Sequence, residues 1–160
     1  MNQVEQVETY GKLINENGSI YYGQLLNNKQ HGLGIMQKRS NNINEKYLGE
    51  WRDGLREGFG VEIYSNLSNL EKRMYVGDWI FDKKNGMGRM TFSSGITYDG
   101  EWLNDKMHGK GVMESENGKI YEGAWIKNLR TGKGMEYSKY DREVYYVEYK
   151  EGKKIERMKL

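Results

Sequence analysis

The chain has 160 residues, with 25 lysines and arginines against 23 aspartates and glutamates, and its net charge of +2 gives no general electrostatic reason to bind nucleic acid. With 0 cysteines it can form neither a disulfide nor a thiolate metal site. No apolar run approaches the roughly 20 residues that span a bilayer, and the start MNQVEQVETY lacks the basic and apolar regions of a secretory signal, so one intracellular domain or one continuous array is expected.

In chain order, residues 1–10 read as an N-terminal tail and a half unit opens at Gly11. From Tyr21 the chain repeats itself. YYGQLLNNKQHGLG (21–34), YLGEWRDGLREGFG (47–60), YVGDWIFDKKNGMG (75–88), YDGEWLNDKMHGKG (98–111) and YEGAWIKNLRTGKG (121–134) share one length and one skeleton. Full units thus start at Tyr21, Tyr47, Tyr75, Tyr98 and Tyr121, and a degenerate cap starts at Tyr145, giving intervals of 26, 28, 23, 23 and 24 residues. The two longer intervals arise in one connection, around KRSNNINEK and IYSNLSNLEKRM, which reads as inserted loops on one edge of a stacked array. The array is expected over 11–149. A basic tail occupies 150–160, where KKIERMKL admits a short helix.

Each unit reads as a β-hairpin. The spacing of two in Tyr98, Gly100 and Trp102 puts all three on one face of a strand, and Gly109, Gly111 and Met113 share a face of the next. Glycines inside strands then serve as shelves for aromatic rings of adjacent strands: Gly23, Gly32 and Gly34 in the first unit, Gly49, Gly58 and Gly60 in the second, Gly77, Gly86 and Gly88 in the third, Gly100, Gly109 and Gly111 in the fourth, Gly123, Gly132 and Gly134 in the fifth. The opposite face carries Leu33, Ile35, Phe59, Val61, Ile63, Val112 and Met135 among Glu50, Asp78 and Glu101, and is expected to be mixed and partly wet.

The pattern Tyr-x-Gly-x-Trp, a polar turn, then Gly-x-Gly at a period of 23 resembles the membrane occupation and recognition nexus (MORN) repeat, over roughly Gly11 to Tyr149. Leu25 departs from it in the Trp position of the first unit and Val147 in the Gly position of the last. The resemblance implies an all-β fold: an elongated single antiparallel sheet of tandem hairpins, a curved rod or trough of eleven or twelve strands. It also implies kinship with repeat-only adaptors of the eukaryotic cytoskeleton, including radial-spoke and other axonemal proteins.

An enzyme is not indicated. His31 and His108 occupy one repeat position three units apart, about 29 Å, so they cannot share a metal or a substrate. The Gly-x-Gly pairs recur in every unit and open no helix after a strand, unlike a phosphate-binding loop. Glu50, Asp78 and Glu101 recur at one solvated position, with no acid and base set apart. No cofactor is expected, and function falls to surfaces.

Two surfaces stand out. The first is an aromatic ladder, Tyr47, Trp51, Tyr75, Trp79, Tyr98, Trp102, Tyr121 and Trp125, whose rings either hold the sheet together or leave a groove for a partner helix or extended peptide. The second is a basic turn edge, Lys29, Arg56, Lys83, Lys84, Lys106 and Arg130, at matching positions of successive units, where acidic phospholipids or an acidic filament could lie. Lys38, Arg39, Lys46, Lys72 and Arg73 add charge on the inserted segments. The leading expectation is a scaffold docking on a larger cytoskeletal assembly, ciliary or axonemal; the alternative is a tether at the membrane periphery. Acids between the bases (Asp53, Glu57, Asp82, Asp105) suit a protein surface better than a lipid one. Open sheet edges allow end-to-end self-association.

Overall fold

The computed structural model describes residues 8–140 and 143–160, and every regular element among them is a strand. The strands are β1 (Glu8–Ile14), β2 (Ile20–Leu26), β3 (Lys29–Ser40), β4 (Ile43–Arg52), β5 (Leu55–Asn66), β6 (Glu71–Ile80), β7 (Lys83–Thr91), β8 (Thr97–Leu103), β9 (Lys106–Glu114), β10 (Lys119–Ile126), β11 (Leu129–Ser138), β12 (Val144–Lys150) and β13 (Lys153–Lys159). They follow in chain order in one open antiparallel sheet of 13 strands, built as hairpin repeats. The chain divides into two compact units, residues 1–82 and 83–160.

The hairpins close because their turns match the twist of the strands. Two central residues with positive φ make a type I′ turn, whose handedness continues the right-handed strand twist. Asn27-Asn28, Asp53-Gly54, Phe81-Asp82, Asn104-Asp105, Lys127-Asn128 and Glu151-Gly152 all adopt it. Asparagine, aspartate and glycine tolerate this region, whereas Phe81 and Lys127, each at φ 48°, are held there by the two-residue length of the loop. The five turns after the first are also tied to the repeat before them. The Asp82 amide donates to the Arg56 carbonyl (3.1 Å), that of Asp105 to Lys84 (3.0 Å) and that of Asn128 to Met107 (3.0 Å). The side chains return the bond, since Asp82, Asp105 and Asn128 accept from the amides of Arg56, Lys84 and Met107.

The structure departs from expectation at four points. The inserted segments are strands, not loops: β3 continues to Ser40 and β4 begins at Ile43, and β5 and β6 continue to Asn66 and from Glu71. Pairing overrides their polar composition, because four neighbouring strands supply one another's amide partners and set Lys38 opposite Glu45 and Tyr64 opposite Arg73. The described residues form 13 strands in place of eleven or twelve. KKIERMKL forms no helix; the Glu151-Gly152 turn folds it back as β13 on the open edge of β12, where a ladder satisfies its amides. Strand structure also begins at Glu8, inside the span read as the N-terminal tail.

Candidate interaction surfaces

The repeat builds its core from a few residues. In the second repeat, Tyr47, Gly49 and Trp51 share a face of β4, and the register sets Gly49 opposite Gly60. A Cβ on Gly60 would overlap the Tyr47 ring, and one on Gly49 would lie 2.6 Å from the Gly60 Cα, so the glycine pair is the bed on which the ring lies. Gly23 with Gly34, Gly100 with Gly111 and Gly123 with Gly134 stand in the same relation to Tyr21, Tyr98 and Tyr121. Each hydroxyl reaches past the glycines to donate to a backbone carbonyl, Tyr47 to Glu50 (3.1 Å), Tyr75 to Asp78 (3.0 Å) and Tyr98 to Glu101 (2.9 Å). Burial pushes the Tyr47 and Tyr98 phenols well above their ordinary range, so they remain protonated donors.

Rings then interlock between repeats. In the first compact unit Tyr21 and Tyr47 meet Trp51 edge-on at 5.3 and 5.1 Å, and Tyr47 and Tyr75 meet Trp79 at 5.4 and 5.2 Å. In the second, Tyr98 meets Trp102 and Trp125 at 5.3 Å each, and Tyr121 meets Trp125 at 5.4 Å and Tyr149 at 5.2 Å. Such edge-to-face pairs contribute about 0.5–1.5 kcal/mol each beyond their area. The indole N–H groups of Trp102 and Trp125 donate to the Gly88 and Gly111 carbonyls. None of the eight ladder residues is more than 6% exposed. Leu25 and Val147, the two departures from the motif, are each buried within their own unit. The ladder is therefore core, with little ring area left for a partner to hold.

The basic turn edge does not line up. Lys29, Lys83 and Lys106 are the first residues after their turns and are exposed, whereas Arg56, Lys84 and Arg130 come one position later, on the opposite face of the strand. Arg56 lies 4.1 Å above the Trp79 ring and pairs with Asp82 (2.9 Å) and Glu62 (2.8 Å). Arg130 lies 4.7 Å above Tyr121 and donates to the Tyr149 hydroxyl at 2.9 Å. These two guanidiniums are cation–π caps of the ring layer, already neutralised.

Sequence reasoning missed what the recurring acids do. Opposite Glu50 and Glu101 the next strand bulges, with Gly58 and Gly109 at φ 78° and 56°. The carboxylates accept the bulge amides of Phe59 and Lys110, each at 2.8 Å, and Gln24 does the same for Leu33. They are latches on the hairpin. The signal was present: an acid or amide directly before the Trp position in four repeats, and Ala124 in the fifth. His31 and His108 belong to the same bulges through their carbonyls, which accept from Tyr21 and Tyr98. Among the described residues no three histidine or carboxylate side chains gather as a metal set.

Two further surfaces emerge. In the second compact unit an open cleft of about 440 Å³ lies over β10–β13 around Glu136, which accepts from Tyr149 (2.7 Å) and Lys154 (2.6 Å). Burial raises the Glu136 pKa, but these two bonds and the nearby Arg130 outweigh it and hold the carboxyl below its ordinary 4.5. In the first compact unit, the face opposite the rings carries one continuous row across five strands: Tyr22, Ile35, Leu48, Val61 and Val76 are directly paired neighbour to neighbour. Leu33 (64% exposed), Phe59 (53%) and Met74 (42%) flank it. Arg39, Lys46 and Lys72 share this face, whereas Lys38 and Arg73 point to the ring side, Arg73 over Tyr64 at 4.2 Å. The corresponding row of the second unit reads Arg89, Asp99, Val112, Glu122, Met135, Tyr146 and Met158, broken by charge.

The repeat pattern of the MORN family matches five times, at residues 21–43, 47–68, 75–97, 98–120 and 121–142. The chain belongs to the MORN repeat family. Among curated MORN proteins it is 40% identical over 80 residues to MORN repeat-containing protein 3 of Xenopus laevis, a match covering 49% of this chain and 32% of that protein. It is 30% identical over 79 residues to Alsin of rat and of human, covering 5% of those proteins. The matched stretch thus spans about a third of the first relative and a twentieth of the others. The family is named for a repeat and not for a reaction. Its five matches fall on the hairpins whose tyrosines, glycines and latches are described above.

Proposed function

We propose that this MORN chain is a non-catalytic interaction scaffold that docks on a larger cytoskeletal assembly, ciliary or axonemal in kind. The observation that carries the reading is the apolar row on the face opposite the rings. The eight ladder aromatics are already consumed as core, yet Tyr22, Leu33, Phe59 and Met74 stay more than two-fifths exposed on one side of one unit, an arrangement that marks interaction surfaces. The cytoskeletal setting rests on the likeness of the repeats to those of axonemal adaptors.

Detergent extraction of ciliated cells expressing the tagged full chain tests it. Retention with the insoluble cytoskeleton or axoneme, and cross-links from residues 8–80 to a protein of that pellet, are expected. Release with the solubilised membrane would overturn it in favour of the peripheral-tether reading. That second reading draws on the second compact unit, where exposed Lys106 is paired with exposed Leu103, the exposed Ile126 and Leu129 are paired with each other, and Lys83 is exposed after its own turn. Engagement of Arg56 and Arg130 by the rings weakens it. If it holds, the double change Lys83→Glu and Lys106→Glu abolishes sedimentation with phosphatidylserine vesicles.

A further inference from the structure

We propose that the face opposite the aromatic rings in residues 8–80 receives an amphipathic α-helix with an acidic edge, supplied by a different protein. The inference rests on the scaffold reading and names its surface and the chemistry of its partner.

The dimensions favour a helix. The row Tyr22, Ile35, Leu48, Val61 and Val76 crosses five strands, about 19 Å at a spacing of about 4.8 Å. A helix of about 13 residues has that length, and its pitch of about 5.4 Å lets successive turns fall on successive strands. An extended peptide would set its unpaired amides and carbonyls against an apolar face, whereas a helix satisfies its own.

Charge sets the character of the edge. Ile63 and Met74 border the row on one side, with Lys46 among them, and Arg39 and Lys72 form the line beyond. Among the described residues no ion pair occupies these three cations. On the other side, the Glu50 carboxylate is engaged by the Phe59 amide. A helix lying along the row therefore meets free positive charge on the side of Lys46, and glutamates or aspartates on that edge complement it. A second copy is a poorer occupant, because face-to-face packing would bring both sets of Arg39, Lys46 and Lys72 into one interface.

The probe is a stapled, fluorescein-labelled amphipathic helix of about 16 residues with a leucine stripe and one glutamate edge, compared with the same peptide carrying lysines in place of the glutamates. By fluorescence polarisation at low salt, the acidic helix is expected to bind the full chain at least tenfold more tightly. Leu48→Lys should remove binding with an unchanged melting curve, and Lys46→Glu with Lys72→Glu should reverse the preference. Should Leu48→Lys fail to fold, Leu33→Lys, at a more exposed site, serves instead. Equal affinity for the two peptides, or insensitivity to these changes, overturns the proposal. So does a wild-type dimer in sedimentation that Leu48→Lys dissociates, or vesicle binding that Leu48→Lys removes. A chain retained in the detergent-insoluble pellet that binds no helix sinks this inference alone; a chain that binds the helix and leaves with membranes sinks the cytoskeletal reading alone.

Discussion

A tyrosine and two glycines recur in each repeat, and in the second and fourth a carboxylate latches the bulge. Because the Tyr98 ring rests on Gly100 and Gly111, a methyl at Gly111 has nowhere to go, and Gly111→Ala is expected to cost about 1–3 kcal/mol through overpacking. Gly132, with open space around its Cβ and φ 60°, isolates the backbone contribution. Gly132→Ala should cost only the left-handed strain, about 1 kcal/mol, and urea denaturation of the two variants compares them directly. The latch makes the converse prediction. Ala124 stands where Glu50 and Glu101 hold their bulges, so Ala124→Glu should supply an acceptor for the Lys133 amide and stabilise the chain by about 1 kcal/mol. An unchanged denaturation midpoint would show that this bulge needs no latch.

At the scale of the element, strand ends matter more than strand middles. Glu136 ties β11 to β12 and β13 through Tyr149 and Lys154. Its folded pKa is depressed, so the stability it contributes is fully present above its unfolded value and is lost as pH falls through the folded one. Between neutrality and about pH 5 the β13 amides should keep constant protection in hydrogen exchange, and as pH falls below the ordinary value of 4.5 protection should fall. Glu136→Gln, which cannot ionise, should start with less protection and lose less on acidification; equal pH profiles would mean that this carboxylate does not hold the edge. Turns follow the same logic. Phe81 and Lys127 sit in a left-handed region they do not favour because amides on both sides fix the loop at two residues.

For the molecule as a whole, the period of 23, the two faces and the pairing of glycine with aromatic were legible from spacing alone. Period two fixes faces without any knowledge of partners. What spacing could not reveal was parity across a turn. Lys29 and Arg56 look equivalent in a sequence of charged turns, yet they differ by one position and therefore point to opposite faces. Nor could composition show that the Asn- and Lys-rich insertions are strands, because their stability comes from four neighbouring strands and not from local propensity. The same holds for β13, which is exposed along its whole length and alternates no apolar face. Lysine and arginine along an open edge disfavour its pairing with a further strand. Replacing Arg157 and Lys159 by valine should produce concentration-dependent association in sedimentation velocity, and a chain that stays monomeric would rule out that edge as a route to end-to-end assembly.

The interlocked rings also make the protein its own spectroscopic probe. Trp51, Trp79 and Trp125 each touch two tyrosines edge-on at little more than 5 Å, close enough for excitation absorbed by a phenol to pass to an indole before it is emitted. The folded chain should therefore fluoresce as tryptophan even when tyrosine absorbs the light, and give an intense near-ultraviolet dichroism from rings locked at near right angles. Recovery of tyrosine emission then reports the opening of a repeat.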